Sequence, residues 1–233
     1  MNVLLTAMLL FIALFALTIH EAAHGWAAYK LGDSTAMNLG RVSMNPLVHI
    51  DPIGTVLLPV ILSLMGWPPF GWAKPVPVNS YNLRNPRRDH IWISFAGPAA
   101  NIGAGLGAFI LLFLIKLTSV KAAVFLKDLV LALKLQRGFI LPIMPRGFHL
   151  IEGFVYFLFM ALIMNCYFAI FNLIPIPPLD GSGVLMGFLP DEQAQKYDRI
   201  RPVGFIIVIF MVYMGFLNLI IEPLKFLFFI FLG

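Results

Sequence analysis

Two histidines and a glutamate lie within five consecutive residues of the apolar stretch ALTIHEAAHGWAAYKLG, residues 16–32. In an α-helix, His20 and His24 are about 400° apart around the axis, so they lie within about 40° of one face and about 6 Å apart along it. This spacing lets both imidazoles bind one tetrahedral metal ion. Glu21 lies about 100° from His20, so it is not placed to share that face as a ligand, but it can reach a metal-bound water.

The order His-Glu-x-x-His is typical of zinc-dependent peptide hydrolysis, in which the histidines bind zinc and the glutamate is the general base. One alternative is that His20, Glu21 and His24 share a polar cavity in a transporter or channel. Another is a membrane metal-binding or transport protein in which His20, His24 and Asp180 form an ion site. Ionisable residues are rare in membrane helices and mark functional sites there by default, which favours the metal interpretation. A transporter also predicts an ionisable relay across the membrane and often repeat symmetry, and the sequence displays neither.

A catalytic zinc site needs a third protein ligand and an open position for water. The candidates are the other histidines and acidic residues at predicted breaks and boundaries: His49, Asp51, His90, His149, Glu152 and Asp180. Asp180 is favoured because it lies in NLIPIPPLDGSG, whose prolines and glycines must end a helix at the membrane edge. An N-terminal cap of the next short helix is its alternative role. Turn chemistry is favoured for His49 and Asp51, and interfacial anchoring for His149 and Glu152.

The composition predicts an all-α polytopic membrane protein. The chain has 233 residues, of which 60% are hydrophobic and 12% are charged, and a mean hydropathy of +0.90. Soluble domains contain about 25% charged residues. The single cysteine, Cys166, excludes a disulfide framework and a thiolate metal site. A net charge of +5, spread over short connections, suits anionic lipid headgroups and argues against nucleic acid as a partner.

About four to five transmembrane helices are expected in a single membrane domain, residues 1–233. The core spans are predicted over residues 3–30, 91–115, 149–172 and 203–222. The dipeptide Glu222-Pro223 interrupts the last apolar stretch, so the sequence leaves open one span with a tail or a kinked pair of helices.

Two further elements are expected to lie at the membrane without crossing it. Residues 53–79 are predicted to be re-entrant, because the apolar stretch 53–66 has 14 residues and a spanning helix needs about 20. Its return is extended by prolines. Residues 117–137 carry lysines and an arginine among leucines and valines, which predicts an amphipathic helix on the membrane surface. Short membrane-associated strands are also expected, one of them within residues 37–44.

The metal hypothesis constrains the topology. For His20 and Asp180 to meet one ion, the ends of the first and third spans must lie on the same side of the membrane. Loops on that side hold nine basic residues and the opposite side holds seven. The positive-inside rule therefore leans towards an active site on the cytoplasmic side.

Three motifs together resemble the site-2 protease family of intramembrane zinc metalloproteases. They are HEAAH in a membrane helix, NLIPIPPLDG at 172–181 ending another helix, and AGPAAN at 96–101 in the glycine-rich span. The stretches NPLVHIDPIGT and WAKPVPVN further resemble the compact branch of the family, which has no PDZ or CBS domain.

The resemblance implies roles for individual residues. His20, His24 and Asp180 would bind one Zn²⁺ per chain, and Glu21 would be the general base. Asn172 would point into the cleft and stabilise the oxyanion or hold substrate backbone, with a helix cap as its alternative role. The remaining motif residues would be structural: Gly97, Asn101 and Gly181.

The implied function is zinc-dependent endoproteolysis in or near transmembrane segments, as in regulated intramembrane proteolysis. Expected partners are transmembrane protein substrates and the lipid bilayer, in a multi-pass protein of a prokaryotic cell membrane. A substrate helix must unwind before cleavage, and residues 67–79 or 37–44 could offer an edge for strand addition. The sequence indicates neither the physiological substrate nor the oligomeric state.

Overall fold

The computed structural model describes residues 3–66, 71–135 and 149–233. These residues form α-helices and short helical turns and contain no strand, which confirms the all-α prediction. The helices are α1 (Val3–Lys30), α2 (Thr35–Asn38), α3 (Leu58–Leu64), α4 (Pro86–Thr118), α5 (Val120–Leu135), α6 (Leu150–Asn172), α7 (Asp180–Phe188), α8 (Asp191–Asp198), α9 (Arg201–Tyr213) and α10 (Phe216–Leu232). In this part of the chain, α1, α4 and α6 are long and apolar enough to cross a membrane.

The helices α1 and α4 pack side by side in opposite directions. Ile93, near the start of α4, hydrogen-bonds to His24 near the end of α1. Asn101, two turns further along α4, hydrogen-bonds to Ala16, two turns earlier in α1. The polar residues of α1 therefore face the first half of α4.

The helices α1 and α6 run in the same direction. Asn101 hydrogen-bonds to both Ala16 and Asn165, and Phe11, earlier in α1, contacts Phe157, earlier in α6. Both helices are therefore antiparallel to α4 and end on the same side. The topology that the metal hypothesis requires is therefore present.

The apolar core lies mainly along α6, towards the end of the bundle remote from the polar residues of α1. Apolar side chains are distributed around the whole circumference of α6, as expected of a helix enclosed by others. Its largest fully buried members are Tyr156, Phe159, Met160 and Ile163. The helices α4, α5 and α10 pack around them.

The predicted amphipathic helix over 117–137 differs from the structure in what covers its apolar face. The helix α4 continues to Thr118, and α5 starts after Ser119. One face of α5 is buried against α6 and α10, comprising Ala122, Phe125, Leu126, Leu129, Val130 and Leu133. The periodicity is amphipathic as predicted, but neighbouring helices and not lipid cover this face. Residues 136–137 lie outside the described residues.

Residues 52–79 form a helical segment followed by an extended return, the shape predicted for the re-entrant element. A helical turn over Pro52–Leu57 leads into α3, and residues 71–79 are extended. The Trp72 N–H donates to the Gly54 carbonyl over 3.2 Å, which ties the two limbs together. Residues 67–70 lie outside the described part of the chain. Insertion of this element into a bilayer stays a prediction.

The prediction of a strand within residues 37–44 is wrong. The chain forms α2 there and then turns at Gly40, whose φ of +66° belongs to the left-handed region. The Arg41 N–H donates to the Ala36 carbonyl, which closes a Schellman-type helix end. These backbone groups are satisfied locally, so they do not need a strand partner.

The fourth span predicted over 203–222 is two helices, α9 and α10. The break is at Gly215, with a φ of +72°, and not at Glu222-Pro223. Glycine adopts this conformation without steric cost. Pro223 lies inside α10. The sequence had pointed to the proline as the interruption, but the glycine determines where the helix ends.

Candidate active site

The side chains of His20, His24 and Asp180 converge between α1, α4 and α7. The Nε2 atom of His20 lies 2.9 Å from Asp180 Oδ2, and that of His24 lies 3.3 Å from the same oxygen. One potential ligand atom from each residue lies within 4.8 Å of the others. Among the residues that the structure describes, this is the group of histidine, cysteine and acidic side chains placed to hold a metal ion.

Both histidines are oriented by hydrogen bonds on the far side of their rings. His20 Nδ1 lies 2.6 Å from Asn101 Oδ1, and His24 Nδ1 lies 2.7 Å from the Ile93 carbonyl oxygen. Because carbonyl oxygens only accept hydrogen bonds, the proton of each neutral imidazole is assigned to Nδ1. Each Nε2 then carries no proton and lies close to Asp180 Oδ2. Such partners fix the tautomer of metal-binding histidines.

The close approach of these three ligand atoms fits a bound cation. Asp180 Oδ2 is buried and has no hydrogen-bond donor, because the two nearby Nε2 atoms carry no proton in this tautomer. Three unprotonated ligand atoms this close together repel one another unless a cation lies between them. Ligand atoms about 2.0–2.1 Å from a tetrahedral zinc ion are about 3.3 Å apart. The observed nitrogen–oxygen separations of 2.9 and 3.3 Å are close to this value.

Gly97 of α4 lets the imidazoles lie against the helix backbone. A Cβ atom at this position would lie 2.7 Å from both Nε2 and Cε1 of His20 and would also collide with His24 Nε2. Any side chain here would therefore displace the rings from Asp180. This close approach explains why the motif AGPAAN has glycine at position 97.

Asp180 is positioned by the tight packing of α7. A Cβ atom on Gly181 would lie 2.5 Å from the Leu173 carbonyl carbon, so the chain after α6 folds directly onto the start of α7. Gly183 and Gly187 lie against α4, and a Cβ atom at Gly183 would lie 3.0 Å from Ser94 Cβ. This small-xxx-small spacing lets two helix backbones approach closely. The Asp180 carboxylate faces the histidines and does not cap α7.

Glu21 and Asn172 line the same cavity as the three converging residues. The cavity has a volume of about 770 Å³. Its wall includes residues of α1, α4, α6 and α9 and the extended segment, among them Leu17, Trp72, Val76, Phe171, Phe205 and Val208. The Asn172 amide N–H donates to the Phe168 carbonyl over 2.9 Å. Asn172 therefore borders the cleft, as predicted, while also bonding within its own helix.

The structure places the other candidate ligands in different interactions. Asp51 Oδ1 accepts hydrogen bonds from the Ile53 and Gly54 N–H groups. It therefore caps a helical turn, in agreement with the turn chemistry that the sequence favoured for it. His49 Nε2 lies 3.0 Å from the Ser43 carbonyl oxygen. Glu152 Oε2 accepts a hydrogen bond from the His149 N–H at the start of α6. His90 borders the cavity and bonds through Nε2 to Ser80 Oγ.

The sequence analysis missed two buried charges that hold the extended segment beside the site. Asp33 accepts hydrogen bonds from the N–H and hydroxyl of Thr35, the Asn79 N–H and the Asn82 amide. Burial alone would raise the pKa of Asp33, but these hydrogen bonds, led by those from Thr35 and Asn82, hold it below its usual value.

Arg41 is the second of these charges. Its guanidinium donates to the Val48 carbonyl and to the carbonyls of Lys74 and Pro75, over 2.5 and 3.2 Å for the latter two. The side chain is 7% exposed. Local sequence carries no signal for such contacts, because a basic or acidic residue in a polar loop is ordinarily solvated.

The family model described as Peptidase family M50 matches residues 7–216. A Bacillus subtilis (strain 168) protein named "Putative zinc metalloprotease YwhC" is 32% identical over 207 residues, covering 89% of this chain and 77% of the relative. A Mycolicibacterium smegmatis (strain ATCC 700084 / mc(2)155) protein named "Putative zinc metalloprotease Rip2" is 27% identical over 220 residues, covering 94% of this chain and 72% of that protein. No solved structure matches the chain significantly.

Proposed function

The chain belongs to peptidase family M50 and is a zinc metallopeptidase, and on this premise we propose that it cleaves membrane proteins in or near their transmembrane segments. The observation that carries the proposal is the convergence of His20, His24 and Asp180 among helices long and apolar enough to cross a membrane. A protease with its site at that position meets substrates from within the bilayer. We extend the proposal to regulated intramembrane proteolysis as the physiological setting.

In the proposed mechanism, His20, His24 and Asp180 hold one Zn²⁺ ion per chain. A zinc ion held there would supply a bound water with a pKa of around 7 and would polarise a carbonyl. Glu21 accepts the proton of the attacking water and returns it to the leaving amide nitrogen. Glu21 lies next to His20 in the sequence and borders the cavity, which suits this role. Asn172 also borders the cavity and would hold the substrate backbone or stabilise the oxyanion.

The substrate must present an extended backbone, because a helix engages its own carbonyls in hydrogen bonds. The extended segment 71–79 contributes Trp72, Ala73, Val76 and Val78 to the cavity wall. We propose that an unwound substrate lies along this segment by strand addition. The hydrogen bonds that Asp33 and Arg41 make to this segment support the proposal, since they hold the segment in place before substrate arrives.

We further propose that the active site faces the cytoplasmic side of a prokaryotic cell membrane. The helices α1 and α6 run in the same direction, so their ends and the adjoining loops lie on one side. The basic residues of that side are Lys30, Arg41, Lys74, Arg84, Arg87, Arg88, Lys196, Arg199 and Arg201. This side holds nine basic residues against seven on the other, a difference by which the positive-inside rule leans towards the cytoplasm for these loops.

The test is cleavage of a panel of single-span reporter proteins by the purified chain in detergent, with Glu21→Gln as the matched variant. We expect the wild type to cleave the reporters and Glu21→Gln not to cleave them, while both retain about one zinc ion per chain. Cleavage unaffected by the substitution would contradict the assigned role of Glu21. A chain that binds no zinc would contradict the metal site and revive the transporter alternative.

A further inference from the structure

A pair of buried asparagines connects α6 to the metal site through α4. Asn101 is 0% exposed and Asn165 is 5% exposed, and both lie among the packed faces of the three long helices. Asn101 Nδ2 donates to Asn165 Oδ1 over 2.9 Å, and Asn165 Nδ2 donates to the Ala161 carbonyl over 2.8 Å. Neither the HEAAH motif nor the LDG motif contains Asn165, and no role has been assigned to it above.

The hydrogen bonds of Asn101 use both sides of its amide group. Its Nδ2 donates to the Ala16 carbonyl over 3.0 Å as well as to Asn165, and its Oδ1 lies 2.6 Å from His20 Nδ1. An amide rotated by 180° would direct its carbonyl oxygen at two acceptor oxygens and its NH₂ group at His20. Buried polar groups left without partners in this way are costly, about 1–3 kcal/mol each. Ala16 and Asn165 together therefore determine which atom of Asn101 faces His20.

The orientation of Asn101 determines the tautomer of neutral His20. With Oδ1 facing the ring, Nδ1 bears the proton and Nε2 is free to bind a metal. With NH₂ facing the ring, Nδ1 must accept, the proton moves to Nε2, and that nitrogen can no longer be a ligand. Asn165 opposes this exchange, because it supplies one of the two oxygens that accept hydrogen bonds from Asn101 Nδ2.

We infer that Asn165 is a positioning residue for the metal site, acting through Asn101 on the tautomer of His20. The inference rests on the proposed function, in which His20 is a zinc ligand. Outer partners of metal-binding histidines typically change metal affinity about 10–100-fold when they are removed. Asn165 acts one step further away, so the expected effect is near the lower end of this range.

The test is Zn²⁺ affinity, measured by chelator competition on the purified chain in detergent, with the absorption spectrum of the Co²⁺-loaded protein as a second readout. Asn165→Leu removes both hydrogen bonds at similar volume and should weaken Zn²⁺ binding about tenfold and alter the Co²⁺ bands. Asn165→Asp keeps an accepting oxygen and should restore most of the affinity. Ile163→Ala is the matched control, because it opens a cavity in the same helix two residues away without touching the network.

A double-mutant cycle separates positioning from a general loss of stability. If Asn165 acts through Asn101, then Asn165→Leu should cause no further loss of affinity in an Asn101→Leu background. Additive losses, or an affinity for Asn165→Leu equal to the wild type, would overturn the inference. If Asn165→Leu does not fold, Asn165→Ala replaces it in the same cycle.

His20→Ala distinguishes failure of this inference from failure of the proposed function. It should weaken Zn²⁺ binding far more than any asparagine variant, because it removes a ligand. An unchanged affinity in His20→Ala would overturn the ligand set and the inference together. If His20→Ala loses Zn²⁺ affinity while Asn165→Leu binds Zn²⁺ as tightly as the wild type, only the role of Asn165 would be overturned.

Discussion

His24 Nδ1 is held by a backbone carbonyl, that of Ile93 at 2.7 Å, whereas the corresponding atom of His20 is held by the side chain of Asn101 at 2.6 Å. The two histidines of one motif are therefore oriented by different kinds of group. A backbone carbonyl persists when its side chain is replaced, but the amide of Asn101 does not. The two halves of the site should respond differently to substitution.

This asymmetry predicts that Asn101→Leu weakens Zn²⁺ binding about 10–100-fold, while Ile93→Leu leaves it within about twofold of the wild type. Both residues are buried in α4, so the pair is matched for packing. The measurement is bound zinc per chain after dialysis against graded chelator. Equal losses in the two variants would show that packing, and not the Asn101 amide, orients His20.

Glu21→Gln should lower the cleavage rate about 10²–10⁴-fold, because an amide cannot accept the proton of the attacking water. Zinc content should not change, since Glu21 is not in the converging group. The rate is measured with a saturating reporter, beside Glu152→Gln as a control for loss of a carboxylate elsewhere in the bundle. A rate in Glu21→Gln similar to that of the control would exclude Glu21 as the base.

Gly97→Ala should weaken zinc binding, because the added methyl group would occupy the position of the histidine rings. Overpacking of this kind costs about 1–3 kcal/mol, which corresponds to at least about a fivefold loss of affinity if the rings move to relieve it. Gly103→Ala in the same helix is the control, since a Cβ atom there meets no other atom within 4 Å. It should bind zinc normally and be slightly more stable. Normal zinc binding by both variants would contradict the close approach at position 97.

Asp33→Asn should destabilise the protein at neutral pH by about 1–3 kcal/mol, because it replaces a buried, multiply bonded carboxylate. Hydrogen bonds hold the pKa of Asp33 in the folded state below its ordinary value of 3.8. Its stabilising contribution is therefore complete above that value and is lost as the pH falls through the lower, folded-state pKa. The difference in stability between wild type and Asp33→Asn should thus shrink below about pH 4.

Thermal unfolding in detergent at pH 7 and at pH 3 measures this difference. Asp128→Asn is the control, because Asp128 is exposed on α5 and should show no difference at either pH. A difference for Asp33→Asn that is equal at both pH values would mean that the carboxylate charge does not contribute to stability.

The sequence by itself determined the parts of the site that depend on helix geometry and composition. The spacing of His20 and His24 places them on one face of any α-helix, and the apolar composition requires long helices in a membrane. The prolines and glycines before and after Asp180 forbid a continuous helix at that point. These are local properties, so they can be predicted without knowing which residues are neighbours in the fold.

The sequence was less informative where one pattern allowed two positions for a helix break, or two environments for an apolar helix face. The amphipathic pattern of α5 does not distinguish lipid from a neighbouring helix, because both cover apolar side chains equally well. Likewise, Pro223 and Gly215 both interrupt helices in general, and only the assembled structure shows that the chain turns at the glycine.

The sequence favoured Asp180 as the third ligand, but only the tertiary structure shows that its carboxylate meets the histidines and which groups orient their rings. Asp180 is 160 residues from His20 in the sequence, and Asn101 and Asn165 are 64 residues apart, so no periodicity relates them. Their contacts depend on how closely the helices approach, which Gly97 permits through the absence of a side chain. The physical reason is that a hydrogen bond requires placement within a few tenths of an ångström, and only the packing of whole helices provides it.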